Sequence, residues 1–291
     1  MSEVEHVLAV HDELGEGPVW HADEGALYWV DIERHLVHRY HPASGAHAVF
    51  DVTVPITVLR PRQAGGFVTG TSKGFAFWDP ATRALEFIAH PEADRPHNRF
   101  NDGAVDRHGR FWAGTMNQHD AAAPDGCLYR LDADGSVHAV ASGFSVYNGT
   151  AWSPDGRTMY FTDTFRRMIL ACDYDAAAGT IANQRPFAQV PEAEGYPDGH
   201  TVDSEGYVWS THWGGWRVTR YSPTGQKERQ IELPVENVTC CAFGGEHLDE
   251  LYITTARSGL HEAARARQPL AGDLFRVRVG VAGLPTYKFA G

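Results

Sequence analysis

The sequence has few cysteines, no long hydrophobic run and no basic leader. Its 291 residues include only 4 Cys, two of them adjacent (Cys240 and Cys241), which excludes a disulfide-rich scaffold and favours a reduced compartment. No apolar run approaches the roughly 18 residues that a membrane-spanning helix needs. The chain begins with the acidic Met-Ser-Glu-Val-Glu-His, whereas a secretory signal is first basic and then apolar. We therefore expect a cytoplasmic protein without a membrane partner.

Positive charge is also scarce. The 25 Lys and Arg are outnumbered by 37 Asp and Glu, which gives a formal net charge of −12, and no basic block occurs. This balance argues against nucleic acid or an anionic membrane as the main partner. Stretches with helical periodicity are nearly absent, while 30 Gly, 8 Trp and 11 Tyr are present. The composition favours many short strands joined by many turns, and it leaves the oligomeric state open.

A turn flanked by apolar and aromatic residues recurs six times along the chain. Clear copies are Val-Asp-Arg-His-Gly-Arg-Phe-Trp from Val105 and Val-Asp-Ser-Glu-Gly-Tyr-Val-Trp from Val202. The equivalent anchor positions, spaced 39 to 50 residues apart, are Trp20, Leu59, Val105, Trp152, Val202 and Phe243. That period is typical of the blades of a β-propeller. A flat β-sandwich of similar strand number would explain no such period.

Each copy reads as four antiparallel strands separated by hairpin turns that contain glycine. Six copies predict an all-β, six-bladed β-propeller that occupies residues 1–291 as a single domain. An apolar segment, Val7–Val10, precedes the first copy. We expect this N-terminal strand to complete the last blade and close the ring, because an open ring would leave two unpaired sheet edges.

The innermost strands of a propeller line its central channel, so equivalent residues of different blades converge there. Counting back four residues from the anchors gives oxygen-bearing side chains in four of the six blades, namely Glu16, Asn101, Asn148 and Asp198. The other two blades have Thr239 and the neighbourhood of Pro55 at this position. One such residue would mean little, because Asn and Asp are common in turns. Four in the same register predict a shared site.

Carboxylate and carboxamide oxygens that converge on one axis suit a hard divalent cation. The sequence therefore predicts one divalent metal ion, Ca²⁺ in the first place, with Mg²⁺ and Mn²⁺ as alternatives. Zn²⁺ and Fe²⁺ stay open but are less expected, because no His or Cys occupies these positions.

A second pattern resembles the nucleophile motif of serine hydrolases. The segment 70–74, Gly-Thr-Ser-Lys-Gly, matches the Gly-x-Ser-x-Gly pattern of serine hydrolases. That pattern requires a strand, a sharp turn and then a helix. The apolar segment 75–78 that follows reads as another strand, so a catalytic Ser72 is not expected.

Longer motifs carry a family likeness. They are Leu-Gly-Glu-Gly-Pro-Val-Trp from Leu14, Asn-Arg-Phe-Asn-Asp-Gly from Asn98, Gly-Arg-Phe-Trp-Ala-Gly-Thr-Met from Gly109, Tyr-Asn-Gly from Tyr147, Pro-Asp-Gly from Pro197 and Cys-Ala-Phe-Gly-Gly from Cys241. Together, and in this order, they resemble the regucalcin (senescence marker protein)/gluconolactonase family. The resemblance extends from about residue 12 to the C-terminus.

The resemblance implies a propeller that uses one catalytic divalent metal ion to hydrolyse sugar lactones to aldonic acids. Residue by residue, it implies Glu16, Asn148 and Asp198 as metal ligands. It also implies Arg99 and Asn101 as substrate-binding residues. The same three ligand positions are among the four that the repeat register predicts.

One segment departs from the animal regucalcins, which carry an acidic substrate-contacting residue soon after Gly-Thr-Met. Here Met116 is followed by Asn-Gln-His-Asp, which resembles the bacterial sugar lactonases more closely. Gln118 and His119 are therefore candidate residues for substrate specificity.

The implied reaction gives each residue a role. Asp198 is the expected general base, because it can touch both the metal and the attacking water. Arg99 would hold ring hydroxyls through its planar donor fork. The sugar stays open, since glucono-, xylono-, arabino- and galactonolactone differ by single hydroxyls. Two other functions also stay open: a metal-dependent organophosphate or aryl-ester hydrolase, and a non-enzymatic calcium-binding regulatory protein.

Overall fold

The computed structural model describes residues 3–291, which are built almost entirely from β-strands. The strands form six separate four-stranded sheets in which neighbouring strands are antiparallel. In five sheets the strands pair in chain order, and the sixth takes one strand from the N-terminal end. The prediction of a six-bladed β-propeller with four antiparallel strands per blade is confirmed.

The first strand, β1, is Glu5–Leu8, and blades 1 to 3 follow it. Blade 1 contains β2 (Gly15–His21), β3 (Ala26–Asp31), β4 (Leu36–His41) and β5 (Ala46–Asp51). Blade 2 contains β6 (Ile56–Pro61), β7 (Phe67–Thr71), β8 (Gly74–Trp78) and β9 (Leu85–Ala89). Blade 3 contains β10 (Asn98–Val105), β11 (Phe111–Asn117), β12 (Gly126–Leu131) and β13 (Val137–Phe144).

Blades 4 to 6 repeat the pattern. Blade 4 contains β14 (Tyr147–Trp152), β15 (Thr158–Asp163), β16 (Met168–Asp175) and β17 (Thr180–Gln189). Blade 5 contains β18 (Tyr196–Val202), β19 (Val208–Trp213), β20 (Arg217–Tyr221) and β21 (Lys227–Glu232). Blade 6 contains β22 (Val238–Gly244), β23 (Glu250–Thr255) and β24 (Leu274–Arg278).

Helical structure is confined to connections. A 3-10 turn, Glu192–Glu194, precedes β18, and a short helix, α1 (Glu262–Arg267), lies between β23 and β24. Among residues 3–291, no helix has the length and apolar character required to cross a membrane.

Burial decreases from the propeller axis outward. Strands β3 and β11 are buried along their whole length, whereas β5 and β21 alternate between exposed and partly buried residues. Such alternation is expected where one face of an antiparallel strand meets water. Large aromatic side chains, among them Trp29, Trp112 and Trp209, are fully buried between the strands. The apolar core therefore surrounds the inner strands, which carry the polar residues of the channel.

The N-terminal strand closes the ring as predicted. β1 pairs with β24, so that blade 6 has the strand order β1-β24-β23-β22. The strand begins and ends two residues earlier than the predicted Val7–Val10. The backbone N–H groups of Val10 and His11 donate to Oδ1 of Asp273, at 3.0 and 2.9 Å, and this draws the chain away from the sheet.

The recurrent turn is stabilised by a buried aspartate. Oδ1 of Asp106 accepts hydrogen bonds from the backbone N–H groups of His108 and Arg110, and Oδ2 accepts from the indole N–H of Trp112. Asp203 repeats this arrangement in blade 5 with the N–H groups of Glu205 and Tyr207 and the indole of Trp209. In blades 3 and 5 the aspartate of the repeat thus ties the hairpin turn to the buried tryptophan of the next strand.

We expect Asp106→Ala to lower the free energy of unfolding by about 3 to 5 kcal/mol, because it removes the fully buried partner of Arg110. Burial acts to raise the pKa of Asp106, but hydrogen bonds from Tyr174, Trp112 and Arg110 outweigh it and lower the pKa below 3.8. This stabilisation is therefore present above pH 3.8 and is lost as pH falls through the lower folded-state pKa. Thermal melts should show a lower Tm for the variant near neutral pH and a smaller difference in acid. Equal Tm values near neutral pH would contradict the prediction.

Candidate active site

The inner strands bulge at equivalent positions in all six blades. The pairing of each inner strand with its neighbour shifts between Glu16 and Val19, Ile56 and Val58, Phe100 and Gly103, Asn148 and Thr150, Pro197 and His200, and Val238 and Cys240. A β-bulge bends its strand and changes the direction of its side chains, and bulges are frequent next to active sites. The four predicted oxygen-bearing residues all lie at or within these bulges.

Glu16 and Asp198 are carboxylates that are almost fully removed from water, with 8% and 5% of their surface exposed. Burial raises the pKa of Glu16 to about 8, and the negative charge of Asp102 adds to the rise. The pKa of Asp198 is raised well above 3.8 by burial first and then by the charges of Glu16 and Asp102. The three carboxylates therefore share one poorly hydrated region. Their mutual repulsion makes it a favourable place for a cation.

A chain of hydrogen bonds joins Arg99 to Asn148 across two blades. Nη1 of Arg99 donates to Oδ1 of Asn101 at 2.7 Å. Nδ2 of Asn101 donates to Oδ1 of Asn148 at 2.7 Å and to the carbonyl oxygen of Tyr147 at 3.0 Å. Nδ2 of Asn148 donates to Oγ1 of Thr164 at 2.9 Å, which leaves Oδ1 turned toward Asn101. The residues predicted to bind substrate and metal in blades 3 and 4 thus lie in direct contact.

The donor set fits a hard cation. Glu16, Asp198 and Asn148 offer two carboxylates and one carboxamide oxygen, the ligands that Ca²⁺ prefers, and the two negative charges balance a divalent ion. Within residues 3–291, no group of three or more His, Cys, Asp and Glu side chains is placed to hold a metal ion. A cation here would therefore depend on amide and water oxygens beside two carboxylates. This arrangement fits Ca²⁺ better than Zn²⁺, which is usually bound by His and Cys.

Gln118 and His119 lie in the loop between β11 and β12, and both are exposed. The backbone N–H of Gln118 donates to the carbonyl oxygen of His97 at 2.9 Å, and the rings of His119 and His97 lie 5.1 Å apart. Because Arg99 pairs with Met116 on the adjacent strand, this loop stands beside the arginine. Both residues contact the loop before β10 and lie outside the hydrogen-bond chain from Arg99 to Asn148.

Two further charges, the buried Asp102 and the partly buried Arg60, lie beside the predicted ligands. Asp102 is 4% exposed, and its Oδ1 and Oδ2 accept the backbone N–H groups of Gly103 and Gly149 at 2.7 and 2.8 Å. Nη2 of Arg60 lies 3.7 Å from Oδ1 of Asp102. The repeat count missed Asp102 by one position, since it directly follows Asn101, and the repeat pattern gives no indication of Arg60.

The serine pattern does not have the structure that a nucleophile elbow requires. Ser72 lies in the tight turn between β7 and β8, and the chain continues directly into the strand that begins at Gly74. A nucleophile elbow leads into a helix. The expectation that a strand follows Ser72 is confirmed.

Residues 14–257 match the family profile described as the SMP-30/Gluconolactonase/LRE-like region. Regucalcin of Danio rerio is 38% identical over 291 residues, which cover 99% of this chain and 98% of that protein. The pentonolactonase of Haloferax volcanii is 38% identical over 294 residues, with 98% of this chain and 97% of that protein covered. A solved structure of the calcium-binding protein regucalcin from Agrobacterium tumefaciens has a TM-score of 0.95 and 29% identity over 100% of this chain and 98% of that chain. The predicted resemblance is confirmed: the chain belongs to the SMP-30/gluconolactonase/LRE-like family.

Proposed function

We propose that this chain is a metal-dependent hydrolase that opens sugar lactones to aldonic acids at the axial site. The observation that carries the proposal is the pair of buried carboxylates, Glu16 and Asp198, beside the amide chain of Asn101 and Asn148. Lactone hydrolysis is the activity that the name of the Haloferax volcanii relative describes, and gluconolactonase is part of the family's description.

A divalent cation held by Glu16, Asn148 and Asp198 would polarise the lactone carbonyl and stabilise the negative charge that develops on its oxygen. The regucalcin of Agrobacterium tumefaciens is described as calcium-binding, which together with the oxygen donors makes Ca²⁺ our first choice. Mg²⁺, Mn²⁺, Zn²⁺ and Fe²⁺ are alternatives that metal titration can rank.

Asp198 is the proposed general base. Its carboxylate would accept a proton from the water molecule that adds to the carbonyl carbon. The bond between the carbonyl carbon and the ring oxygen then breaks, and the proton passes to the departing oxygen, which becomes a hydroxyl group. The product is an aldonic acid, which ionises in water and releases one proton per turnover.

Arg99 and Asn101 are the proposed substrate-binding residues. One nitrogen of Arg99 is used by Asn101 and by the carbonyl oxygen of Phe100, at 2.7 and 2.9 Å. The other guanidinium N–H groups make no hydrogen bond within residues 3–291 and could bind hydroxyls or the ester oxygen of a sugar lactone, a task that suits the planar fork of arginine. Gln118 and His119, exposed in the loop after β11, would contact the distal hydroxyls and so influence the choice of sugar.

The proposal is tested by a substrate screen of the purified protein with Ca²⁺ and the other divalent cations. A pH-indicator assay should detect proton release from glucono-, xylono-, arabino- and galactonolactone above the spontaneous rate. An aryl ester and a phosphotriester, assayed in parallel, should be turned over much more slowly. Faster phosphotriester hydrolysis would favour the organophosphatase alternative. Tight Ca²⁺ binding without turnover of any lactone would favour a regulatory calcium-binding protein.

A further inference from the structure

The Arg60–Asp102 ion pair contacts the backbone of the residues that follow two of the proposed metal ligands. Oδ2 of Asp102 accepts a hydrogen bond from the N–H of Gly149, the residue after the blade 4 ligand. Nη1 of Arg60 donates to the carbonyl oxygen of Gly17, the residue after the blade 1 ligand, at 3.3 Å. Arg60 belongs to blade 2 and Asp102 to blade 3, so four blades meet at this pair.

The two glycines have left-handed backbone conformations. Gly17 and Gly149 have φ angles of 57° and 53°, a region that residues with a side chain rarely adopt. A Cβ atom on Gly149 would lie 2.1 Å from Nδ1 of His200, so no side chain could occupy that position to hold the bulge. Arg60 donates to the carbonyl oxygen of Gly17 and Asp102 accepts from the N–H of Gly149, so the pair holds the two bulges beside Glu16 and Asn148.

The pair also places charge near the proposed cation. Asp102 adds a third carboxylate to those of Glu16 and Asp198, and its negative charge raises the pKa of both. Both oxygens of Asp102 accept backbone N–H groups, which anchor the carboxylate, and its negative charge acts on the cation through the electric field. Arg60 contributes a partly buried positive charge to the same region. Charges interact over longer distances there than in water, because the dielectric constant is low.

We propose that the Arg60–Asp102 pair sets the cation affinity of the site and that its two members act in opposite directions. Asp102 is a positioning residue that strengthens cation binding through its negative charge and its bond to Gly149. Arg60 opposes binding through its positive charge while it holds Gly17. This inference rests on the proposed function, since it takes Glu16, Asn148 and Asp198 as the cation ligands.

Calorimetric titration of chelator-treated protein with CaCl₂ tests the proposal. Asp102→Asn, which keeps one acceptor oxygen but removes the charge, should weaken Ca²⁺ binding by about 10- to 100-fold. Arg60→Met should tighten it by about 10-fold, because a partly buried positive charge is lost. The double variant should return toward the wild-type Kd. Arg60→Lys keeps the charge and should stay within about 3-fold of wild type.

The opposite signs separate an electrostatic role from a purely structural one, because loss of packing alone would weaken binding in both single variants. Asp106→Asn is the matched control: it changes a buried aspartate of the same blade, and it should lower the Tm of the metal-free protein without changing the Kd. Weaker binding in both single variants, or an unchanged Kd in both, would overturn the proposal. If Asp102→Asn does not fold, Arg60→Met against Arg60→Lys carries the same test. A wild-type protein that binds none of Ca²⁺, Mg²⁺, Mn²⁺ and Zn²⁺ would overturn the proposed function instead.

Discussion

Replacing Asp198 with asparagine is expected to lower kcat/KM for a sugar lactone by about 10²- to 10⁴-fold, the range for loss of a general base. Asparagine has the same shape, so the blade should fold unchanged. Its amide cannot take a proton from water, and it lacks the negative charge that Asp198 shares with Glu16 in this buried region. Cation binding should weaken at the same time. Initial rates measured at saturating cation concentration separate the loss of the base from the loss of the metal.

The control for this variant is Asp203→Asn, on the same blade. Asp203 is fully buried and binds Trp209 and Arg220, but it lies at the far end of β18 from Asp198. We expect a lower Tm for this variant, with kcat/KM of the folded protein within about 3-fold of wild type. Full turnover by Asp198→Asn at saturating cation would mean that another group accepts the proton.

The fold could be predicted from the sequence because its determinants are local and repeated. Asp106 and Asp203 occupy the same position in the repeated turn and accept the same backbone and indole hydrogen bonds. The sequence repeat therefore corresponds to a structural unit. The exact limits of β1 depended instead on a distant contact. The N–H groups of Val10 and His11 reach Asp273, more than 260 positions along the chain, and no local pattern reveals that pairing.

The candidate site also contains residues that the sequence repeat predicts and residues that it does not. Glu16, Asn101, Asn148 and Asp198 could be proposed for the candidate site because they occupy the same repeat position in four of the six blades. Asp102 lies one residue out of that register, and the structure brings it to the site only because the bulge in β10 turns it toward the N–H of the next blade. Arg60 and the loop of Gln118 and His119 belong to no repeated pattern. Their positions follow from contacts between blades and between loops, which a single sequence does not reveal.

Removal of divalent cations is expected to reduce lactone hydrolysis to the spontaneous rate, and addition of Ca²⁺ should restore it. The physical reason is that the carbonyl would then lack its electrophile. Activity is measured by proton release before chelation, after exhaustive chelation and dialysis, and after stepwise addition of Ca²⁺, Mg²⁺, Mn²⁺ or Zn²⁺. The order in which the metals restore activity identifies the cation that the site prefers.

Chelation should also lower the Tm, because a ligand that binds only the folded state stabilises it by about 2.7 kcal/mol when present at 100 times its Kd. A cation would favour the charged forms of Glu16 and Asp198, whose pKa values are raised by burial in its absence. In Asp198→Asn one of these charges is gone, so the chelator should lower the Tm of that variant less than it lowers the wild-type Tm.

Activity that survives exhaustive chelation and is abolished by Ser72→Ala would contradict the metal mechanism and indicate a serine hydrolase. The turn at Ser72 leads into β8 rather than a helix, which is why we expect the Ser72→Ala variant to keep its activity.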